Sequence, residues 1–195
     1  MYRRALVATA IVALAFFLGF ALFVLLPRSY GQKPVQSAAA PTPAPATGPA
    51  RKITATLFYV SADGLTLTGA QREVPFADTV ALQARAIVEA QLTPPQAPLV
   101  SAIPTDTRLR DVFVTDRGDA FVDFSSEISS KHSGGALDEL LTIYTIVDAL
   151  TINLPAITRV QILIDGKEVD TLAGHIDLRH PLTKSLQWVV AHDTH

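Results

Sequence analysis

Three residues near the carboxyl end, His175, Asp177 and His180 in the run GHIDLRHPL, have the types and spacing that a metal could use. Two imidazole nitrogens and a carboxylate oxygen make a ligand set found in catalytic zinc sites, where an open fourth position activates water. In an extended stretch His175 and Asp177 share one face, because successive strand side chains alternate. Two features point elsewhere. Gly174-His175 follows a turn signal, and Arg179 beside His180 would set a cation next to the metal. The more economical reading is structural, with His175 hydrogen-bonded in a turn and Asp177 capping or pairing with Arg179. A metal-dependent hydrolase on His175, Asp177 and His180 is kept as an alternative, and the site reading itself is no catalytic residue, no metal and no cofactor.

Other chemistry finds less support. Nucleophilic catalysis needs a Ser or Cys with a base and an orienting group, but the chain has no Gly-x-Ser-x-Gly elbow, and Ser125-Ser126 simply follow a strand pattern. Asp123 and Glu127 form a carboxylate pair of an ordinary turn-rich kind. Gly134-Gly135 precede a helical run whose free N–H groups could hold an anion, yet Asp138 and Glu139 in that first turn repel one. Cysteine is absent, which removes disulfides, thiolate chemistry, Cys-based zinc sites and a lipid anchor on an N-terminal cysteine. A net charge of −2 and a pI near 6.2 offer no basic footprint for nucleic acid.

These residues must be positioned by a chain with clear divisions. Residues 5–26 contain no charge and are dominated by Ala, Leu, Val, Ile and Phe. At about 1.5 Å per residue such a helix reaches roughly 33 Å, enough for the ~30 Å hydrocarbon layer. A cleaved signal peptide has a shorter apolar region and a nearby small-residue site, whereas the first candidate here, at 37–40, lies well downstream. The expected organisation is a cytoplasmic head at 1–4, a single transmembrane anchor at 5–27, a Pro/Ala-rich linker at 28–50 and one extracytoplasmic domain at 51–195. The linker holds five prolines and almost no large apolar residue, so it buries too little to offset the entropy of ordering.

Within the domain, KITATLFYVS alternates at a strand period, Asp63-Gly64 signals a hairpin, and LTLTGAQREV returns. Val80, Ala84, Ile87, Val88 and Leu92 recur at helical spacing, with Asp78 or Thr79 as cap and Pro94-Pro95 as terminator. RLRDVFVT and DAFVDFS flank a turn at 116–119. In GGALDELLTIYTIVDALTINLP, Leu137, Leu140, Leu141, Tyr144, Val147 and Leu150 form one helical stripe. TRVQILIDG adds a last strand, turning at Asp165-Gly166. The order ββ-α-ββ-α-β implies an α+β fold with one mixed or antiparallel sheet and two amphipathic helices on one face. Opposite the second stripe lie Asp138, Thr142, Thr145 and Asp148, the expected exposed interaction surface.

Seven segments occur in an order that resembles the GerMN domain of bacterial envelope proteins: LFYVSADG, QREV, ARAIVEAQL, SAIPTDTRLRDVFV, AFVDFSSEI, SGGALDELLTIYTIVDALT and VQILIDGKEVDTLAGHIDLRHPL. Thr93-Pro94-Pro95 stands where relatives often show Gly-Pro, and Asp148-Ala149 where Asn-Thr or Asn-Ser is usual. The resemblance implies a sporulation- and germination-related family, an α+β fold similar to ring-building motifs, and no established catalytic residue. Partners are then the membrane, through the N-terminal helix, and an unknown envelope protein or a second copy. A small-ligand-binding envelope domain is the further alternative.

Overall fold

The computed structural model describes residues 51–190. The expected head, anchor and linker lie outside the described residues, as do positions 191–195. Among the described residues no helix is long and apolar enough to cross a membrane. The elements are β1 (Lys52–Val60), β2 (Leu67–Pro75), α1 (Val80–Leu92), β3 (Leu109–Val114), β4 (Asp119–Phe124), a one-turn α2 (Glu127–Ser130), α3 (Ala136–Asn153), β5 (Arg159–Ile164), β6 (Lys167–Glu168), β7 (Leu182–Thr183) and a 3-10 turn at Leu186–Trp188. The α+β class and the order of the long elements match expectation, while α2, β6, β7 and the 3-10 turn are additional.

Local chemistry accounts for the element ends. The Thr79 hydroxyl accepts from Leu82 N at 3.2 Å, the side-chain cap that starts α1. Gln83, buried, accepts from Ala77 N and donates to Pro75 O, which fixes the chain entering that helix. At Gly118, with φ +82°, an added Cβ would meet Ala156 O at 2.7 Å, so only glycine lets the β3–β4 turn approach the start of β5.

The strands form two sheets where one was expected. β1 and β2 make an antiparallel hairpin, while β3-β4-β5-β6 make a second sheet in which β4 and β5 run parallel and β7 also pairs with β5. The separation has a direct cause in the far edge of β1. Thr56 N donates to Asn153 Oδ1 and Thr56 O accepts from Asn153 Nδ2, at 2.8 and 2.7 Å. Phe58 makes the same two-bond exchange with Gln91, at 2.9 and 2.7 Å, and Val60 N donates to Val100 O. Two side-chain amides therefore occupy the positions a neighbouring strand would take, and the edge is closed.

The core lies among both sheets and the two long helices. Helix α1 packs on β1, β2 and β3, and α3 packs on β1, β5 and α1. Because α3 is covered on several sides, residues 141–143 and 145–151 are all buried. The stripe expected from periodicity is partly reversed: Leu141, Val147 and Leu150 are buried, but Leu137, Leu140 and Tyr144 are only partly so. The expected exposed surface is corrected by the same fact. Thr142, Thr145 and Asp148 are fully buried, and of the four only Asp138 faces solvent. A helix between packed surfaces buries polar residues too: Thr142 and Asp148 bond other segments of the chain, whereas Thr145 Oγ1 has no hydrogen-bond partner among the described residues.

Candidate functional site

Glu139, read as a dipole-complementing residue of the first helical turn, is fully buried. Its Oε1 accepts from Leu172 N at 2.8 Å and Ala173 N at 2.9 Å. Its Oε2 accepts from His175 N at 2.8 Å and lies 3.1 Å from His175 Nδ1. Burial alone pushes this carboxyl up, but the Ala173, His175 and Leu172 amides together with the His175 ring outweigh it and hold it below its ordinary value. One carboxylate thus clamps the segment after β6 onto the start of α3. Ser129 Oγ donates to Leu172 O at 2.6 Å, Leu178 N donates to Asp170 O at 2.8 Å, and Gln161 donates to Leu178 O, which fixes the rest of the loop.

His175 therefore sits in a turn and is hydrogen-bonded, as the structural reading expected. Asp177 takes Arg179 in a two-bond pair at 3.0 and 2.7 Å and also accepts from Arg179 N. The guanidinium holds the Asp177 carboxyl well below the usual carboxylate range. His175, Asp177 and His180 are not brought together as a ligand set, and among the described residues no group of three His, Cys, Asp or Glu side chains could hold a metal. Asp123 receives Arg110 Nε and Gly166 N, and Ser125 Oγ accepts from Arg108 N. These groups secure strands and turns.

At the start of α3, Gly134 and Gly135 adopt φ of 86° and 89°, a region that glycine enters without strain. Gly134 N donates to His132 Nδ1 at 3.0 Å. With Nδ1 accepting, the neutral ring carries its proton on Nε2, which reaches Thr142 Oγ1 at 3.1 Å. Thr142 Oγ1 also lies 2.8 Å from Ala102 O and 2.9 Å from Asp138 O. Thr142 is buried because it joins two loops to the helix, and Asp138 accepts from Ser133 Oγ at 2.9 Å.

Asp148, farther along α3, meets the carboxyl-terminal strap at residues 182–190. Its Oδ1 accepts from Ser185 N at 3.0 Å, while Oδ2 has no hydrogen-bond partner among the described residues. Burial pushes the carboxyl up to about 6, against the opposing pull of Ser185 N–H and Lys184. The strap is held at one end by β7, whose two residues pair with Val160 and Arg159, and at the other by Val190 N donating to Leu67 O at 2.8 Å. Val189 forms a parallel bridge with Leu67.

Beyond that bridge no other strand pairs with the outer edge of β2 among the described residues. Thr56 and Phe58 turn their backbone groups away from β2, so their cross-strand partners Gln71 and Gly69 also turn theirs away, onto the outer side. Beside this edge runs an apolar groove of about 690 Å³ with Phe58, Gly69, Ile152, Leu186 and Val190 along it. Leu186 and Val190 are 48% and 44% exposed. A second groove of about 660 Å³, lined by Ile157, Thr158, Thr183 and Lys184, also borders Leu186. This edge escaped the sequence reading, although LTLTGAQREV was correctly read as a strand. Its openness depends on which side of β1 the helix amides close, a three-dimensional fact.

No curated protein matches the chain. Among solved structures, a candidate lipoprotein of Clostridium perfringens aligns at 25% identity with a TM-score of 0.50, over 68% of this chain and 88% of that one. The tandem GerMN domains of the sporulation protein GerM of Bacillus subtilis align at 19% identity with a TM-score of 0.54, over 68% of this chain. The match covers 46% of that two-domain structure. The GerM likeness is one of fold. Residues 56–170, more than half of the chain, match the family Germane, described by sporulation and spore germination, and the chain therefore belongs to the Germane family of GerMN-type domains.

Proposed function

We propose that this chain is a membrane-tethered, non-catalytic module of the bacterial envelope that associates, through the outer edge of β2, with another envelope protein or a second copy of itself. The observation that carries the proposal is the asymmetry between the two edges of the hairpin. The β1 edge is closed by Gln91 and Asn153, whereas Gly69 and Gln71 present outward-turned backbone groups beside an apolar groove. An open edge with adjoining apolar surface is the arrangement to which an extended segment adds as a further strand. The buried carboxylates, by contrast, hold the chain's own loops.

The tether in this reading is the apolar run at 5–26, with the amino terminus cytoplasmic and the domain outside. The likeness to a candidate lipoprotein supports an extracytoplasmic place beside a membrane. The chain carries no cysteine to lipidate, and the apolar run at 5–26 is long enough to serve as a protein span.

Paired proline variants of the full chain test the association. Gln71→Pro removes an outward N–H and no ladder bond, while Ala70→Pro removes an N–H turned toward Leu57. The first is expected to abolish crosslinking to partners in membranes with a small change in melting temperature, and the second to lower the melting temperature markedly through loss of a ladder bond. Full association by a folded Gln71→Pro protein refutes the proposed edge. Extraction of the chain from membranes by alkaline carbonate refutes the tether.

A further inference from the structure

Among the described residues the carboxyl-terminal strap packs Leu182, Trp188 and Val189 against the core but makes few hydrogen bonds to the domain, and one of them ends on a buried acid. Residues 182–183 pair with β5, Ser185 N reaches Asp148 Oδ1, and Val190 N reaches Leu67 O. Asp148 is fully buried, and its second oxygen has no hydrogen-bond partner among the described residues. A neutral carboxyl suits that position. An ionised one carries an uncompensated buried charge, the costly condition for a group in a low-dielectric interior. Relief can come from water reaching the free oxygen, which requires a neighbouring segment to move. Helix α3 is long and covered on several sides, whereas the strap is a two-residue strand and a single 3-10 turn with exposed Thr183, Lys184, Leu186 and Val190. Local opening is drawn from the least stable segment.

We infer that Asp148 is a proton-controlled latch: protonated, it holds the strap on the domain, and ionised, it releases the strap, freeing Leu67 and extending the open edge of β2. The charged groups around it are few. Lys184 in the strap favours ionisation, Tyr144 lies one turn earlier on α3, and from α1, β1 and β5, which also pack on this helix, no charged group among the described residues acts on it. Ser185 N–H and Lys184 favour the ionised form, but burial outweighs both in the docked state; release of the strap that reaches Asp148 opens its carboxyl to water and returns it toward its ordinary value, so docking is fully supported below the ordinary carboxylate range and lost as pH rises through about 6. The latch stands on the strap's own contacts, and only its consequence for the β2 edge rests on the association reading.

Trp188 is the chain's one tryptophan, lies in the strap, and has a buried indole nitrogen. Its emission in the full chain in detergent, followed from pH 4.5 to 8, reports docking independently of any partner. The expected result is a shift to longer wavelength with a midpoint near pH 6, lost in Asp148→Asn, whose amide still accepts from Ser185 N without titrating. His192→Gln/His195→Gln is expected to retain the midpoint. A midpoint that survives in Asp148→Asn, or vanishes in the double histidine variant, overturns the latch. Should Asp148→Asn fail to fold, carboxyl carbon NMR of Asp148 in the wild-type chain decides: titration near 6 supports the latch, and titration at or below the ordinary aspartate value overturns it.

Discussion

Replacing Glu139 by Gln removes one charge and keeps the shape, so it isolates what the clamp contributes. The carboxylate accepts three backbone N–H groups at 2.8–2.9 Å and meets the His175 ring at 3.1 Å. Glutamine offers one oxygen. If that oxygen serves Leu172 and Ala173, the amide NH2 confronts His175 N–H and leaves it stranded. A hydrogen bond to a charged group contributes about 1.5–3 kcal/mol, and a stranded buried donor costs roughly 1–3 kcal/mol. With incomplete additivity the expected loss is about 3–5 kcal/mol, the range for breaking a buried charged pair. For a chain of this size that corresponds to roughly 6–20 °C in melting temperature. Thermal melts at pH 7 and hydrogen exchange at Leu172, Ala173 and His175 measure it. The pH dependence provides a second reading. The Glu139 carboxyl is held below its ordinary value, so its stabilisation is complete above about 4.3, the unfolded value, and is lost as pH falls toward and through the folded one. A Glu139→Gln protein within about 1 kcal/mol of wild type, with those three amides still protected, refutes the clamp.

Asp148→Asn is expected to act in the opposite pH direction. It matches wild type at pH 4 and exceeds it at pH 8 by up to about 3 kcal/mol, from a carboxyl raised from 3.8 to about 6 at 1.36 kcal/mol per unit; urea unfolding at the two pH values checks this. Leu141→Ala removes a side chain that is 1% exposed and is expected to cost about 2–5 kcal/mol in the same assay. His180→Ala and a chelator are both expected to leave the melt unchanged, and stoichiometric zinc in the purified chain together with a chelator-dependent melt would restore the metal reading of His175, Asp177 and His180.

Features whose cause is local were legible in the chain. Asp63-Gly64 and Asp165-Gly166 mark the hairpin turns, Thr79 caps α1 where Asp78 or Thr79 was expected, and Asp177, expected to cap or to pair, pairs with Arg179 two positions away. Features whose cause lies across the fold were not. Glu139 reads as a first-turn acid because the amides it binds are 33 to 36 positions downstream. Gln91 and Asn153 carry no signal in the helical pattern, yet they close β1 and divide one expected sheet into two. Thr142, Thr145 and Asp148 have the spacing of a solvated face, which holds only when a helix is covered on one side. The interval between β6 and β7 carries almost no periodicity, since its shape comes from Glu139, Ser129 and Gln161.

Site-specific photocrosslinking from position 71 in the full chain in native membranes tests the association claim most directly, with position 116, in the β3–β4 turn, as the comparison. The account predicts a discrete protein adduct from position 71, absent at 116 and abolished when Ala70→Pro disrupts the hairpin. Adducts of equal yield from both positions, or none from position 71 in a membrane-bound and folded chain, would contradict it.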